Sequence, residues 1–173
     1  MTTVDSLIDG FPKATPTKIS GLPTYETIKR LNENISANAA SVHTDLGGRN
    51  RGHLGLTVSP TIYATVSGTP YVAPVNPDRP ALARFIGPQI TAANCRYDDG
   101  KKKFANFVAL QNALKKQILS SVDDIYLSAI VQPYIGHANR TVLELFTHLY
   151  DTYANISPLD LIKNNQKMTA PWD

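Results

Sequence analysis

The chain is poor in cysteine and has no long apolar run. Its 173 residues contain one cysteine, Cys95, so no internal disulfide can form and nothing indicates an oxidising compartment. No apolar run approaches the ~20 residues of a membrane-spanning helix, and the first twenty residues lack the apolar centre of a secretion signal. We therefore expect a cytoplasmic protein without a membrane partner.

Residues suited to metal binding or covalent catalysis occur, but not at the spacings that such sites need. The four histidines and Cys95 form no Cys-x2-Cys or His-x3-His pair, so a structural zinc site is not expected. No serine lies in a Gly-x-Ser-x-Gly elbow. Asp151-Thr152-Tyr153 begins like the aspartic-protease triplet but lacks its glycine. We expect no catalytic residue, metal, cofactor or small-molecule substrate, and therefore no enzyme.

A glycine-rich loop spans residues 47–53. Gly47 and Gly52 have the spacing of a phosphate-binding loop, but His53 and Leu54 stand where that motif needs lysine and then serine or threonine. The loop is therefore interpreted as a turn or contact loop. Contact of its two arginines with a phosphate backbone remains an alternative.

The charge balance is mildly basic, with a formal net charge of +3 and a pI of about 9.0. This permits weak contact with RNA without requiring it. The densest basic run, residues 101–103, is either a solvated helix start or an electrostatic contact for RNA. The candidate nucleic-acid contacts are Arg49, Arg51, Lys101, Lys102, Lys103, Lys115 and Lys116.

Apolar residues recur at spacings of three and four, which indicates helices. Such stripes predict helices over about 24–42 and 88–122, with a break or loosening at Gly100 because glycine disfavours helix interiors. Capping signals predict four more, starting near residues 60, 125, 142 and 158. The predicted fold is mainly α, a small bundle of about five to six helices with short extended or β segments near residues 53–58 and 69–74.

Proline and glycine mark the expected boundaries. They interrupt residues 1–23, which are predicted to be a flexible lead-in, and four prolines make residues 69–80 an extended connector. A single helical domain is expected over residues 24–168. Residues 169–173 are expected to be a tail at a truncated domain end, because the apolar ending is unlike that of a finished domain.

Two apolar stripes are the candidates for contacts between copies of the chain. The same stripes can equally be interpreted as the core of the bundle. If their apolar residues extend beyond that core, we expect the protein to be a homo-oligomer. The residues of this candidate assembly or core face are Phe104, Phe107, Leu110, Leu114, Ile118, Leu145, Phe146, Leu149, Tyr150 and Tyr153.

Five stretches of the chain resemble, in the same order, the Gag polypeptide of copia-type LTR retrotransposons. They are residues 22–28, 52–56, 67–74, 114–118 and 145–153, and together they cover about residues 20–170. The resemblance implies a helical capsid-like unit that self-associates into particles packaging the element's RNA. No Cys-x2-Cys-x4-His-x4-Cys zinc knuckle is present, so RNA binding through a knuckle does not carry over. The alternative is a host-adapted adaptor that binds nucleic acid or protein and has no enzymatic activity.

Overall fold

The computed structural model describes residues 3–48, 50–155 and 158–169. The helical content is 59%, and the described residues contain no β-strand, which confirms the predicted mainly α fold. Three single-turn 3-10 helices cover Leu54–Leu56, Asp124–Tyr126 and Ser128–Ile130. The α-helices are α1 (Val4–Asp9), α2 (Tyr25–Ser41), α3 (Pro60–Ser67), α4 (Gly87–Ser121), α5 (Val142–Tyr153) and α6 (Pro158–Thr169).

Hydroxyl side chains set the starts of three helices, where the sequence predicted them. Thr24 caps α2, and its own backbone N–H donates to the Thr27 hydroxyl at 2.8 Å. At the start of α5 the Thr141 N–H donates to the Glu144 carboxylate at 2.7 Å, and the Glu144 N–H donates back to the Thr141 hydroxyl at 3.1 Å. Ser59 caps α3, and its hydroxyl accepts from the Ile62 N–H at 3.3 Å. These caps satisfy backbone N–H groups that have no partner inside the helix.

The core is formed by α2, α5 and the second half of α4. Residues of all three helices are fully or almost fully buried, as expected for interlocking apolar stripes. Seven members of the candidate assembly or core face belong to this core. They are Phe107, Leu110, Leu114, Ile118, Leu145, Phe146 and Leu149.

The segments predicted to be extended or β near residues 53–58 and 69–74 are not β-strands, and an extended conformation is contradicted only in the first of them. Residues 54–56 form a 3-10 turn, because the Leu56 N–H bonds locally to the His53 carbonyl at 2.9 Å. Residues 69–74 are irregular. The helix predicted to start near residue 125 is replaced by two 3-10 turns, and the residues that precede these turns make no side-chain capping hydrogen bond.

Helix α4 runs without a break through Gly100, contrary to the predicted interruption. A Cβ built at Gly100 would lie 3.1 Å from Pro77 Cγ, so glycine here allows residues 69–86, the strap, to approach the helix. The 35 residues of α4 give it a length of about 52 Å. Its first buried residue is Phe107, so the first half extends beyond the core with the strap beside it. We call the strap and this half-helix, residues 69–103, the arm.

The segment before α2 is bound to the core, which the expectation of a flexible lead-in over residues 1–23 did not anticipate. Phe11 and Ile19 are buried in the core. The buried amide of Asn38 accepts from the Lys13 N–H at 2.8 Å and donates to Gln117 Oε1 at 2.9 Å. The Gln117 amide in turn donates to the Lys13 carbonyl at 3.1 Å. Two polar side chains thus tie the segment to α2 and α4.

Two apolar side chains of helix α6 whose burial the structure describes lie outside the core. Ile162 is 55% exposed and Met168 is 81% exposed. The predicted tail over 169–173 begins inside this helix at Thr169, and residues 170–173 lie outside the described part of the chain. In the described ranges, no helix is both long and apolar enough to cross a lipid bilayer.

Replacing Asn38 by alanine is expected to lower the free energy of unfolding by about 2–4 kcal/mol. The substitution leaves the Lys13 N–H and the Gln117 amide short of hydrogen-bond partners in a buried site. Urea denaturation measures the change. The matched control is Asn34→Ala on the same helix, where the lost bond to the Thr17 hydroxyl is solvent-exposed. Equal losses from both variants would contradict a structural role for the buried network.

Candidate functional site

Two of the five family-like stretches meet at a buried histidine. His53 is 6% exposed, and its Nδ1 lies 2.8 Å from the Tyr71 hydroxyl. The Tyr71 ring also packs edge-on against Tyr63, with ring centroids 5.2 Å apart. Gly55 is required here, because a Cβ at this position would collide with the Tyr71 ring. The stretches 52–56 and 67–74 therefore belong to one packed unit.

Burial keeps His53 neutral. Removal from water lowers the pKa of His53 to about 4, and the negative charge of Asp45 only partly offsets this effect. Burial also raises the pKa of Tyr71 well above its ordinary value. At neutral pH, His53 and Tyr71 are thus both uncharged and hydrogen-bonded to each other, and the contact is structural.

The His53 contact makes stability depend on pH. The unfolded chain takes up a proton at this histidine near pH 6.5, whereas the folded chain resists protonation down to about pH 4. Between these values the unfolded state binds more protons, so stability is complete above pH 6.5 and is lost as the pH falls towards 4. The expected loss is about 3 kcal/mol, measured by urea denaturation at a series of pH values.

The control for this pH dependence is a comparison of two histidine variants. His53→Gln is expected to flatten the fall in stability between pH 6.5 and 4. At pH 7 this variant is expected to be less stable than the unaltered chain. His43→Gln, at an exposed position, removes only the smallest of the contributions to the low pKa of His53, so it is expected to change the fall much less than His53→Gln does. An unchanged profile in His53→Gln would show that other groups cause the fall.

The structure distributes the candidate nucleic-acid contacts over several sites. Lys115 is only 8% exposed, its ammonium donates to the Ala138 carbonyl at 2.8 Å, and burial lowers its pKa. It is therefore left out of the candidate surface. Lys116 pairs with Asp5 at 2.8 Å on the face of α4 that carries α1. Arg49 lies outside the described residues.

The lysine run and the glycine-rich loop lie side by side. Lys103 pairs at 2.6 Å with Asp45, two residues before the loop, and the ring of His53 at the end of the loop lies 6.4 Å from that of Phe107, one turn further along α4. Arg51 of the same loop is exposed. Lys101 donates to Asn76 Oδ1 at 3.3 Å. Exposed ion pairs are worth little, so such lysines can exchange partners for phosphate. Residues 51 and 101–103 thus form the candidate RNA surface.

The aromatic residues of α5 are used within the chain. Tyr150 and Tyr153 are half-buried. The ring centroid of Tyr150 lies 6.0 Å from that of Tyr25, and the ring of Tyr153 packs edge-on against Tyr126 at 5.4 Å. Phe104, at the other end of the candidate face, is also half-buried. The two tyrosines therefore take part in packing within the chain.

Sequence reasoning missed an exposed apolar hairpin at residues 131–136. Gln132 and Gly136 exchange backbone hydrogen bonds of 2.9 Å in both directions, which closes the hairpin. At its tip Tyr134 is fully exposed, at 106% of the reference area, and has a φ of 68°. Ile135 beside it is 47% exposed. The sequence signal is a proline and a glycine enclosing two large apolar residues.

The comparisons with known proteins leave the family open. No protein-family model, curated protein or solved structure matches this chain. Within residues 3–48, 50–155 and 158–169, no group of three or more His, Cys, Asp or Glu side chains is placed to hold a metal ion. The resemblance to Gag polypeptides therefore stays a prediction from the sequence.

Proposed function

We propose that this chain is the self-assembly module of a retrotransposon Gag-like protein that forms particles around element RNA. The proposal needs a helical unit with a stable core of its own and an outer surface that meets other copies. It also needs weak, non-sequence-specific contact with RNA.

The observation that carries the proposal is the convergence of the five family-like stretches. The stretch 22–28 touches the stretch 145–153 through Tyr25 and Tyr150. The stretches 52–56 and 67–74 are joined by the hydrogen bond between His53 and Tyr71. The stretch 114–118 lies in the common core. Residues far apart in the chain thus form one unit, as expected if the ordered resemblance reflects a shared fold.

A second observation supports assembly. Isolated exposed apolar residues are normal on a protein surface. Here several occur on the hairpin, residues 131–136, and several more on the strap, residues 69–86. The exposed apolar residues of these two regions are Val72, Val75, Phe85, Ile86, Val131, Tyr134 and Ile135.

Assembly is tested by light scattering over a wide range of protein concentrations, with and without RNA, followed by negative-stain microscopy. The expected result is a mass that grows with concentration and grows further with RNA, because weak contacts repeated on every copy add up. A chain that remains at the monomer mass of 18.9 kDa under all these conditions contradicts the proposal.

RNA contact is tested by a salt titration of binding to single-stranded RNA. Replacing Arg51 and Lys102 by glutamine is expected to weaken binding and to reduce the slope of log K against log salt by about 1.4, because two phosphate contacts are lost. The matched control, Lys18→Gln with Lys29→Gln, removes the same charge from exposed positions elsewhere. Equal effects of the two double substitutions would show that RNA binding depends only on the net charge of the chain.

A further inference from the structure

A cavity lies between the second half of α4 and the residues that follow the hairpin. Its volume is about 290 Å³. Among the described residues its lining contains two lysines, a histidine and an asparagine, but no carboxylate. The lining residues are Asn112, Lys115, Lys116, Leu119, His137 and Ala138. Lys115 lies twelve residues, or about 18 Å, along α4 from Lys103, so this cavity is separate from the candidate RNA surface.

Lys115 is a buried cation without a matching anion. The residue is 8% exposed, and its ammonium donates to the Ala138 carbonyl at 2.8 Å. No carboxylate in the described part of the chain forms an ion pair with it, whereas Lys103, Lys116 and Arg140 each have one. Burial lowers the pKa of this lysine, and no described acidic group offsets the effect. Because a buried charge is costly unless it is paired, an anion bound here would stabilise the fold.

A second polar group at the same cavity also has an unused hydrogen-bonding atom. The Nδ1 of His137 is shielded from solvent and has no hydrogen-bond partner within residues 3–48, 50–155 and 158–169. An imidazole nitrogen can act as a donor. On the helix side, the exposed Asn112 contributes an amide that can donate as well. Donors from α4 and from the loop after the hairpin thus line one small space.

Lys116 adds positive charge at the rim of the cavity. Its ammonium pairs with Asp5 of α1 at 2.8 Å, and both side chains are largely exposed. Exposed ion pairs are weak, so this contact does not remove the positive potential of the region. Lys115 supplies the buried charge, which the pair at the rim leaves uncompensated.

We propose that this cavity binds a phosphate group, with the Lys115 ammonium, the His137 imidazole and the Asn112 amide as donors. A phosphate carries negative charge and several strong acceptor oxygens that point in different directions. One anion can therefore compensate the buried lysine and satisfy the histidine at the same time. The site goes beyond the proposed function and does not depend on whether copies of the chain assemble.

Phosphorus NMR of inorganic phosphate tests for the site with the unaltered chain. We expect the phosphate resonance to broaden or shift when the protein is added. The melting temperature is expected to rise with phosphate more than with sodium chloride at equal ionic strength, because the anion binds the folded state. A resonance that the protein leaves unchanged overturns the proposal.

Two variants locate the binding. Lys115→Met removes the charge but keeps the length of the side chain, and His137→Phe removes Nδ1 but keeps a ring. Each is expected to weaken phosphate binding about tenfold or more, because a hydrogen bond to a charged group is lost. The matched control is Lys102→Met, at an exposed position of the same helix, which is expected to bind phosphate normally.

Circular dichroism shows whether each variant is folded, and the half-buried His137 offers a milder change than the buried Lys115. If either folded variant binds phosphate as tightly as the unaltered chain, the proposal is wrong. Equal losses in Lys115→Met and Lys102→Met would also overturn it, since they would show attraction to positive charge in general.

Competition with single-stranded RNA separates two sources of the phosphate group. If RNA displaces inorganic phosphate and Lys115→Met weakens RNA binding, the cavity takes a phosphate of the nucleic acid. If RNA leaves the bound phosphate in place and Lys115→Met binds RNA normally, the cavity takes free phosphate. Both results support the site. A chain that binds phosphate but stays monomeric in light scattering would refute self-assembly alone.

Discussion

The packing of α2, α5 and the second half of α4 around one apolar core is the constraint on which the rest of the structure depends. This core uses nearly all of the large apolar residues that periodicity singled out in these helices. An apolar face that is buried in the core is not available to bind other copies of the chain. The proposed contacts between copies would therefore have to use residues outside these stripes, and half of the exposed large apolar residues in the described part of the chain lie on the strap and the hairpin.

Around the core, polar and aromatic contacts bring distant segments together. Asn38 and Gln117 bind the backbone of the segment before α2, and His53 holds the strap through Tyr71. Buried polar groups are costly unless they are paired, so each pair fixes one arrangement of its segments more firmly than apolar packing alone would. The same contacts explain why the family-like stretches include polar and glycine residues that a simple helical pattern does not require.

The first half of α4 projects beyond the core. No residue of the arm is buried, and Gly100 permits the close approach of the strap to the helix.

The sequence by itself determined the helical class and most helix starts, because caps such as Thr24 and Thr141 and apolar spacing act within a few residues. The tertiary structure alone decided the continuity of α4 through Gly100, the burial of Lys115 and the internal use of Tyr150. It also decided which apolar residues stayed outside, including Tyr134. These outcomes depend on which distant segment packs against each side chain, and local spacing carries no information about such partners.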